Sequence, residues 1–392
     1  MIYIKEERKM NAKVLEERLI HIYRHLHQYP ELSHEEFETT SRIKEWLIDK
    51  GIRLEETALK TGVVANIGNN EGPVVAIRAD IDALPIQENT DLSYASKIPG
   101  KMHACGHDFH TAAAIGAAYL LKKEEEQLRG SVRFLFQPAE EYGAGAEKVI
   151  KAGHLEDVEG IIGLHNKPDL QVGTIGIKRG PLMAAVDRFK VVINGKGAHA
   201  ALPHNGSDPI VASAHIITAL QTVVSRNVSP LKSAVVSVTR IEGGNTWNVI
   251  PNSVTIEGTV RTFDKEVRVH VKERFYTILE NIFNTFLMEG DIKWYEGPPP
   301  LINHCSILEA IESGAKSAEI KVIEPELSTA GEDFAHYLEK VPGAFAFLGT
   351  SGTEDWHHPS FTINEKALIK GAYFLYSSAK YLLQQQHDVL KI

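Results

Sequence analysis

Four short apolar runs, each running into polar residues, constrain this chain more than any other feature. They are "PVVAIRADID" (Pro73–Asp82), "SVRFLFQPAEE" (Ser131–Glu141), "IIGLHNK" (Ile161–Lys167) and "AFAFLGTSGTEDWHHP" (Ala344–Pro359). A run that is apolar without alternation suits a strand covered on both faces, which means a largely parallel sheet. Helical patterns such as "TAAAIGAAYLLKKEEEQL" and "GAEKVIKAGHL" lie between the runs and would supply the cover. The polar residues stand at the C-terminal ends, the edge of a parallel sheet where ligand sites form.

Two further patterns complete the layout. Apolar residues at helical spacing in "VLEERLIHIYRHL" and "RIKEWLIDKG" predict two helices over about 10–50, divided by Pro30 and stopped at Gly51. Residues 187–295 follow another rhythm: alternating strands, a helix opened by Ser207, Asp208 and Pro209, and a long amphipathic helix in "KEVRVHVKERFYTILENIFNTFLMEG". Their order, βαββαβ, is a ferredoxin-like unit inserted into the first domain, with "EGPPPL" (Glu296–Leu301) as the return linker. A chain of 392 residues suits two domains. The expected fold is therefore α/β: a mostly parallel-sheet domain of residues 1–186 and 296–392, with 187–295 inserted.

Composition narrows the function classes. The net charge of −9 carries no basic block, which argues against nucleic acid. No apolar run approaches the roughly 18 residues of a membrane helix. The charged start has no signal core, and both Met1 and Met10 are candidate starts. Two cysteines, Cys105 and Cys305, make no disulfide framework and suit a reducing cytoplasm.

The chemistry concentrates in "KMHACGHDFHTAA" and at the strand ends. Thiolate, imidazole and carboxylate are transition-metal ligands, and Cys105, His107, Glu140, Glu141, His165, His357 and His358 collect at one sheet edge. A cysteine nucleophile paired with His103 or His107 is the competing chemistry. The carboxylates favour metal, since a thiol nucleophile does not need them. Two divalent ions carry four charges, of which a thiolate, a glutamate and a hydroxide offset three, leaving a site suited to polarising a carbonyl.

"HQYPELSHEE", "RADIDALPI", "MHACGHDFH", "QPAEE", "GKGAHA", "NVIPN", "GEDF" and "HHPSF" occur in this order. Together they resemble the hippurate hydrolase and auxin-conjugate hydrolase subfamily of the aminoacylase-like metallopeptidases, from about residue 20 to 380. The resemblance implies a dinuclear metallohydrolase domain with an inserted lid and dimerisation domain, acting as a homodimer, or a tetramer. It implies Cys105, His107, Glu141, His165 and His357 as metal ligands, with the thiolate bridging two ions (Mn, Zn, Co or Ni) and Glu140 as general base. His357 is preferred to His358 because the motif histidine stands two places before the proline. His199 would donate to the oxyanion.

Asn248 and Arg261 would hold a substrate carboxylate, against a structural reading as turn and strand residues. Where the wider family has a metal-binding histidine this chain has Asp80, so Asp80 and Asp82 are expected to orient ligands or His103. His103, Asp108 and His110 are expected behind the ligands or at the helix start. Glu332 and Asp333 either line the pocket or cap a helix. The implied activity is hydrolysis of N-acyl amino acids, N-acetyl ones first. A dipeptidase or aminopeptidase, and a non-catalytic metal-binding protein on the same scaffold, are the rivals.

Overall fold

The computed structural model describes residues 2–69 and 71–389; Met1, one of the two candidate starts, lies outside them. The chain divides into two compact units. The first gathers the residues up to Gly180 with Ile302–Glu326 and the chain from His336 onward; the second comprises Pro181–Leu301 and Leu327–Ala335. The second unit is thus longer than the 187–295 segment and includes a later stretch of chain.

The first unit is built on an eight-stranded sheet. In spatial order its strands are Arg53–Leu54, Val63–Gly68, Ser131–Gln137, Val74–Asp80, Val158–Lys167, Gly343–Gly349, Thr174–Gly176 and Lys321–Ile323. The four central strands run parallel. Antiparallel pairings lie outside them, at Val63–Gly68 and at Thr174–Gly176, so the α/β sheet is mixed. All seven residues of Ser131–Gln137 and of Gly343–Gly349 are buried, which is why these strands read as largely apolar runs without alternation.

Helices Ile2–Gln28, Phe37–Asp49, His107–Lys122 and Lys366–Val389 supply cover. The break near Pro30 and the stop at Gly51 fall where the sequence predicts. His107–Lys122 is buried along almost its whole length. Its small residues permit this: Ala113 and Gly116 lie against Gly371 and Ala372 of the C-terminal helix.

The second unit has the βαββαβ order. Its four-stranded antiparallel sheet is ordered Ala234–Gly243, Ser253–Thr262, Ala185–Asn194, Glu289–Glu296. Helices Pro209–Thr222 and Lys265–Thr285 pack on it through a core that includes Phe189, Val191, Ile256, Leu220, Phe275 and Leu279. Asp208 caps the first of these helices, its carboxylate accepting from the Ile210 and Val211 amides, with Pro209 in the first turn. The first and last strands pair, with Asp187 opposite Glu296. Arg268 clamps that point, donating to both Asp187 oxygens at 2.9 and 2.6 Å and to the Gly297 carbonyl at 2.8 Å.

Among the described residues no helix is long and apolar enough to cross a membrane, and both cysteines are free.

Candidate metal centre

The C-terminal edge of the parallel strands brings five of the sequence-predicted residues together. Their ligand atoms form two groups of three: Cys105 with His107 and His165, and Cys105 with Glu141 and His357. Within each group the atoms lie within 4.8 Å of one another. Cys105 belongs to both groups. Its sulfur lies 3.5 Å from His165 Nε2, and His357 Nε2 lies 3.3 Å from Glu141 Oε1. Glu140 joins His107 and Glu141 in a further cluster of the same size.

The backbone explains how residues so close in sequence point at one spot. Gly106, between Cys105 and His107, has φ +82°, and a Cβ there would meet Asn166 Nδ2 at 2.5 Å. Only glycine fits this turn, and it places the thiol at one side and His107 on the first turn of a buried helix. Ala139 (φ +56°) and His357 (φ +65°) occupy the same left-handed region without being glycine. Such conformations persist only where the surroundings enforce them, and they concentrate at functional sites.

A shell of hydrogen bonds orients four of the five residues. Asp82 lies 3.2 Å from His107 Nδ1, and its other oxygen accepts from the Glu141 amide at 3.1 Å and from Ser33 Oγ at 2.6 Å. One buried carboxylate therefore aims two candidate ligands. Asp80, held by Arg78 Nη1 at 2.6 Å, bonds His110 Nδ1 at 2.6 Å. His110 Nε2 then accepts the Asn166 amide at 2.9 Å, and Asn166 Nδ2 donates to the Cys105 carbonyl at 2.6 Å. Trp356 Nε1 donates to Asn166 Oδ1 at 3.2 Å. His165 Nδ1 faces the Asn166 carbonyl at 2.8 Å, which leaves Nε2 as the lone-pair nitrogen toward the sulfur.

Neither aspartate bonds His103, which is buried with both ring nitrogens unpartnered; burial holds its pKa at about 4. Asp108 instead pairs with His27 at 2.7 Å. His358 turns away and accepts the Ser360 amide at 3.1 Å. Sequence reasoning passed over Ser33, Asn166 and His27. All three stand in motifs given above, but nothing in the sequence marks Asn166 as the hub it is.

The electrostatics suit cations. Burial, then the Glu141 charge, push the Cys105 thiol well above its ordinary range, so the protein alone does not make it a thiolate nucleophile. Burial lowers His165 well below the usual histidine range, leaving a neutral imidazole fit to ligate. For His107, burial opposes charge, but Asp80, Cys105 and Asp82 outweigh it and raise its pKa well above normal. The pocket attracts positive charge more strongly than its own side chains supply. His107 Nε2 is buried without a hydrogen bond, an expense that a bound cation removes. The donor set of sulfur, imidazole and carboxylate fits a pair of transition-metal ions.

The remaining predicted residues lie in the second unit. His199 and Asn248 come together on a two-stranded ribbon, Ala198–His199 with Val249–Ile250, where His199 opposes Val249 and the Ala200 amide donates to the Asn248 carbonyl at 3.0 Å. His199 is exposed and its Nδ1 accepts the Ala201 amide at 3.1 Å. Arg261 is half-buried on the sheet, and its Nη1 donates to Thr259 Oγ1 and, at 3.2 Å, to the Val260 carbonyl. Glu332 accepts the Phe334 amide at 2.9 Å, a local capping bond.

Comparison with known proteins places the chain in a family. Residues 76–381 match the model of peptidase family M20/M25/M40. An N-acetyl-L-cysteine deacetylase of Bacillus subtilis (strain 168) is 61% identical over 390 residues, covering 99% of this chain and 94% of the relative. An IAA-amino acid hydrolase of Arabidopsis thaliana is 40% identical, covering 95% of this chain and 87% of its own. A crystal structure of a Bacillus subtilis protein, described as a dinuclear metal-binding peptidase from the M20 family, superposes with a TM-score of 0.86 at 48% identity, covering 95% of this chain and 99% of that one. The chain therefore belongs to peptidase family M20/M25/M40 and is a hydrolase acting on amide bonds.

Proposed function

We propose that this enzyme hydrolyses N-acyl amino acids, N-acetyl amino acids foremost, to a free amino acid and a carboxylic acid. The observation that carries this reading is the pair of ligand groups sharing Cys105, with Glu140 beside Glu141. The name of the deacetylase relative supports the substrate class. Cys105, His107 and His165 would hold one divalent ion, and Cys105, Glu141 and His357 the other, with the sulfur common to both. Mn, Zn, Co and Ni all suit this mixed set. When bound, the ions supply Lewis-acid polarisation of the amide carbonyl and make water acidic near neutral pH.

The chain's own groups do the rest. Glu140 accepts the proton of the attacking water and returns it to the leaving nitrogen. Asp82 fixes His107 and the Glu141 backbone, which keeps the ligands in register. His199 donates to the oxygen that gains charge, and Asn248 and Arg261 hold the substrate carboxylate, for which a guanidinium fork is well shaped. The second unit acts as the inserted lid and dimerisation domain, in a homodimer or a tetramer. The free cysteines suit a cytoplasmic setting.

The test is turnover of an N-acyl amino acid panel, with free-amine dipeptides beside it, in Mn- or Zn-loaded enzyme. Glu140→Gln should lower kcat about 10²- to 10⁴-fold with metal content unchanged. Near-full activity in this variant removes Glu140 as the base. Turnover of dipeptides alone replaces the substrate class.

A further inference from the structure

An exposed aromatic corner stands beside the candidate metal ligands, and the reaction described above does not use it. Tyr142 directly follows Glu141, is 76% exposed, and its ring centroid lies 5.4 Å from that of His34 at a tilt of 51°. His34 follows Ser33, whose hydroxyl bonds Asp82, the carboxylate that also bonds His107 and the Glu141 amide. Both rings are therefore anchored within one residue of the hydrogen-bonded shell around the ligands.

Neither ring is free to swing with its backbone. Glu140–Gly143 closes as a tight turn, the Gly143 amide donating to the Glu140 carbonyl at 2.6 Å, with Ala139 (φ +56°) and Gly143 (φ +66°) on either side. His34 itself sits at φ +71°, a conformation that strains a residue with a Cβ. Lys148 Nζ lies 3.0 Å from His34 Nδ1, so the histidine's polar edge is engaged by the lysine while the ring leans on Tyr142. Holding a strained histidine against a solvent-exposed tyrosine has no packing benefit to the core. It does leave an aromatic face exposed one residue from Glu141.

We infer that Tyr142 and His34 form a specificity wall that receives an apolar group of the substrate, either its acyl chain or its amino-acid side chain. This rests on the amidohydrolase reading. The shared chemistry is apolar contact with a ring face, which grades affinity by buried methylene and leaves the chemical step untouched.

The test uses two substrate series in Zn-loaded enzyme. One lengthens the acyl group from acetyl to hexanoyl on a fixed amino acid; the other enlarges the amino-acid side chain on a fixed acetyl group. In the wild type, KM should fall with size in one series, by up to about fourfold per buried methylene. Tyr142→Ala should flatten that series, raising KM about tenfold for the largest member while kcat and the smallest substrate stay within twofold. Tyr142→Phe should restore the trend. The series that flattens identifies which group meets the wall. Calorimetric binding of the same compounds to the Glu140→Gln protein repeats the comparison without turnover, so it stands even if the wild type cleaves none of them. Parallel size dependence in wild type and Tyr142→Ala, in both series and both assays, overturns the inference. So does a uniform loss of kcat, which would make Tyr142 a support of the metal centre.

Discussion

The turn at Gly106 can be tested against a built-in control. Gly106 and Gly100 both have left-handed backbone, φ +82° and +73°, but a Cβ on Gly100 would meet nothing within 4 Å, whereas one on Gly106 would lie 2.5 Å from Asn166 Nδ2 and 3.1 Å from its Cγ. Alanine at either position costs about 1–2 kcal/mol for the left-handed conformation. At Gly106 the Asn166 amide must also move. Its hydrogen bond to the Cys105 carbonyl is then lost, stranding buried polar groups for about 1–3 kcal/mol more. The sum for Gly106→Ala is about 2–5 kcal/mol, against about 1–2 for Gly100→Ala. For a body of this size each kcal/mol moves the melting temperature by about 2–4 °C. Gly106→Ala should melt roughly 4–20 °C below wild type and Gly100→Ala about 2–8 °C below. Because Gly106 sets the angle between Cys105 and His107, metal content measured by atomic emission should fall in the first variant alone. Equal melting temperatures for the two variants, or full metal content in Gly106→Ala, would refute the reasoning.

Other perturbations follow from the same geometry. Cys105→Ser should lose metal and activity together; retention of both ions with loss of turnover through a missing covalent intermediate would restore the thiol nucleophile. Asp82→Asn should weaken metal affinity by about 10- to 100-fold, since it loosens His107 and the Glu141 backbone at once, and competition with a chromogenic chelator reads this directly. His27 provides a pH signature. Burial disfavours its charge, but hydrogen bonds to Asp108 and Glu88 outweigh burial and bring its pKa to about 9. The folded value exceeds the unfolded one, so the stabilisation is fully present below about pH 6.5 and disappears as pH rises to about 9, for up to about 3 kcal/mol. His27→Gln should flatten the pH dependence of urea unfolding between pH 6.5 and 9.5; identical slopes in both proteins would exclude this pair as the cause.

The legible parts of this molecule are those written in local pattern. The central strands are visible because burial on both faces leaves a largely apolar signature without alternation, and the second unit because antiparallel strands with one covered face alternate. Arg53–Leu54, Thr174–Gly176 and Lys321–Ile323 are too short to carry any period, and the sheet completes them only through pairing. At the centre, the kinds of residue are legible and their partnerships are not. That Cys105 belongs to both groups, that Asp80 bonds His110 where Asp82 bonds His107, and that Asn166 ties Cys105 to His110 all depend on which loops meet. Ser33 reaches Asp82 across 49 positions in sequence, a separation no periodicity encodes.

The pairing of Asp187 with Glu296 has a consequence for how the chain folds. The strands Val158–Lys167 and Gly343–Gly349 lie side by side, yet the whole second unit is threaded between them. Because that unit's entry and exit strands are neighbours, locked by Arg268, the folded unit holds distant points of the host chain together. The remaining loop is well under half its contour length, a saving of somewhat under about 1 kcal/mol in closure entropy. The gain is small in energy but falls on the closure that brings His357, the last of the five candidate ligands in the sequence, to the other four. The insertion thus acts as a splint for the domain it interrupts, and loosening the Arg268 clamp should slow assembly of the metal centre without altering a residue of it.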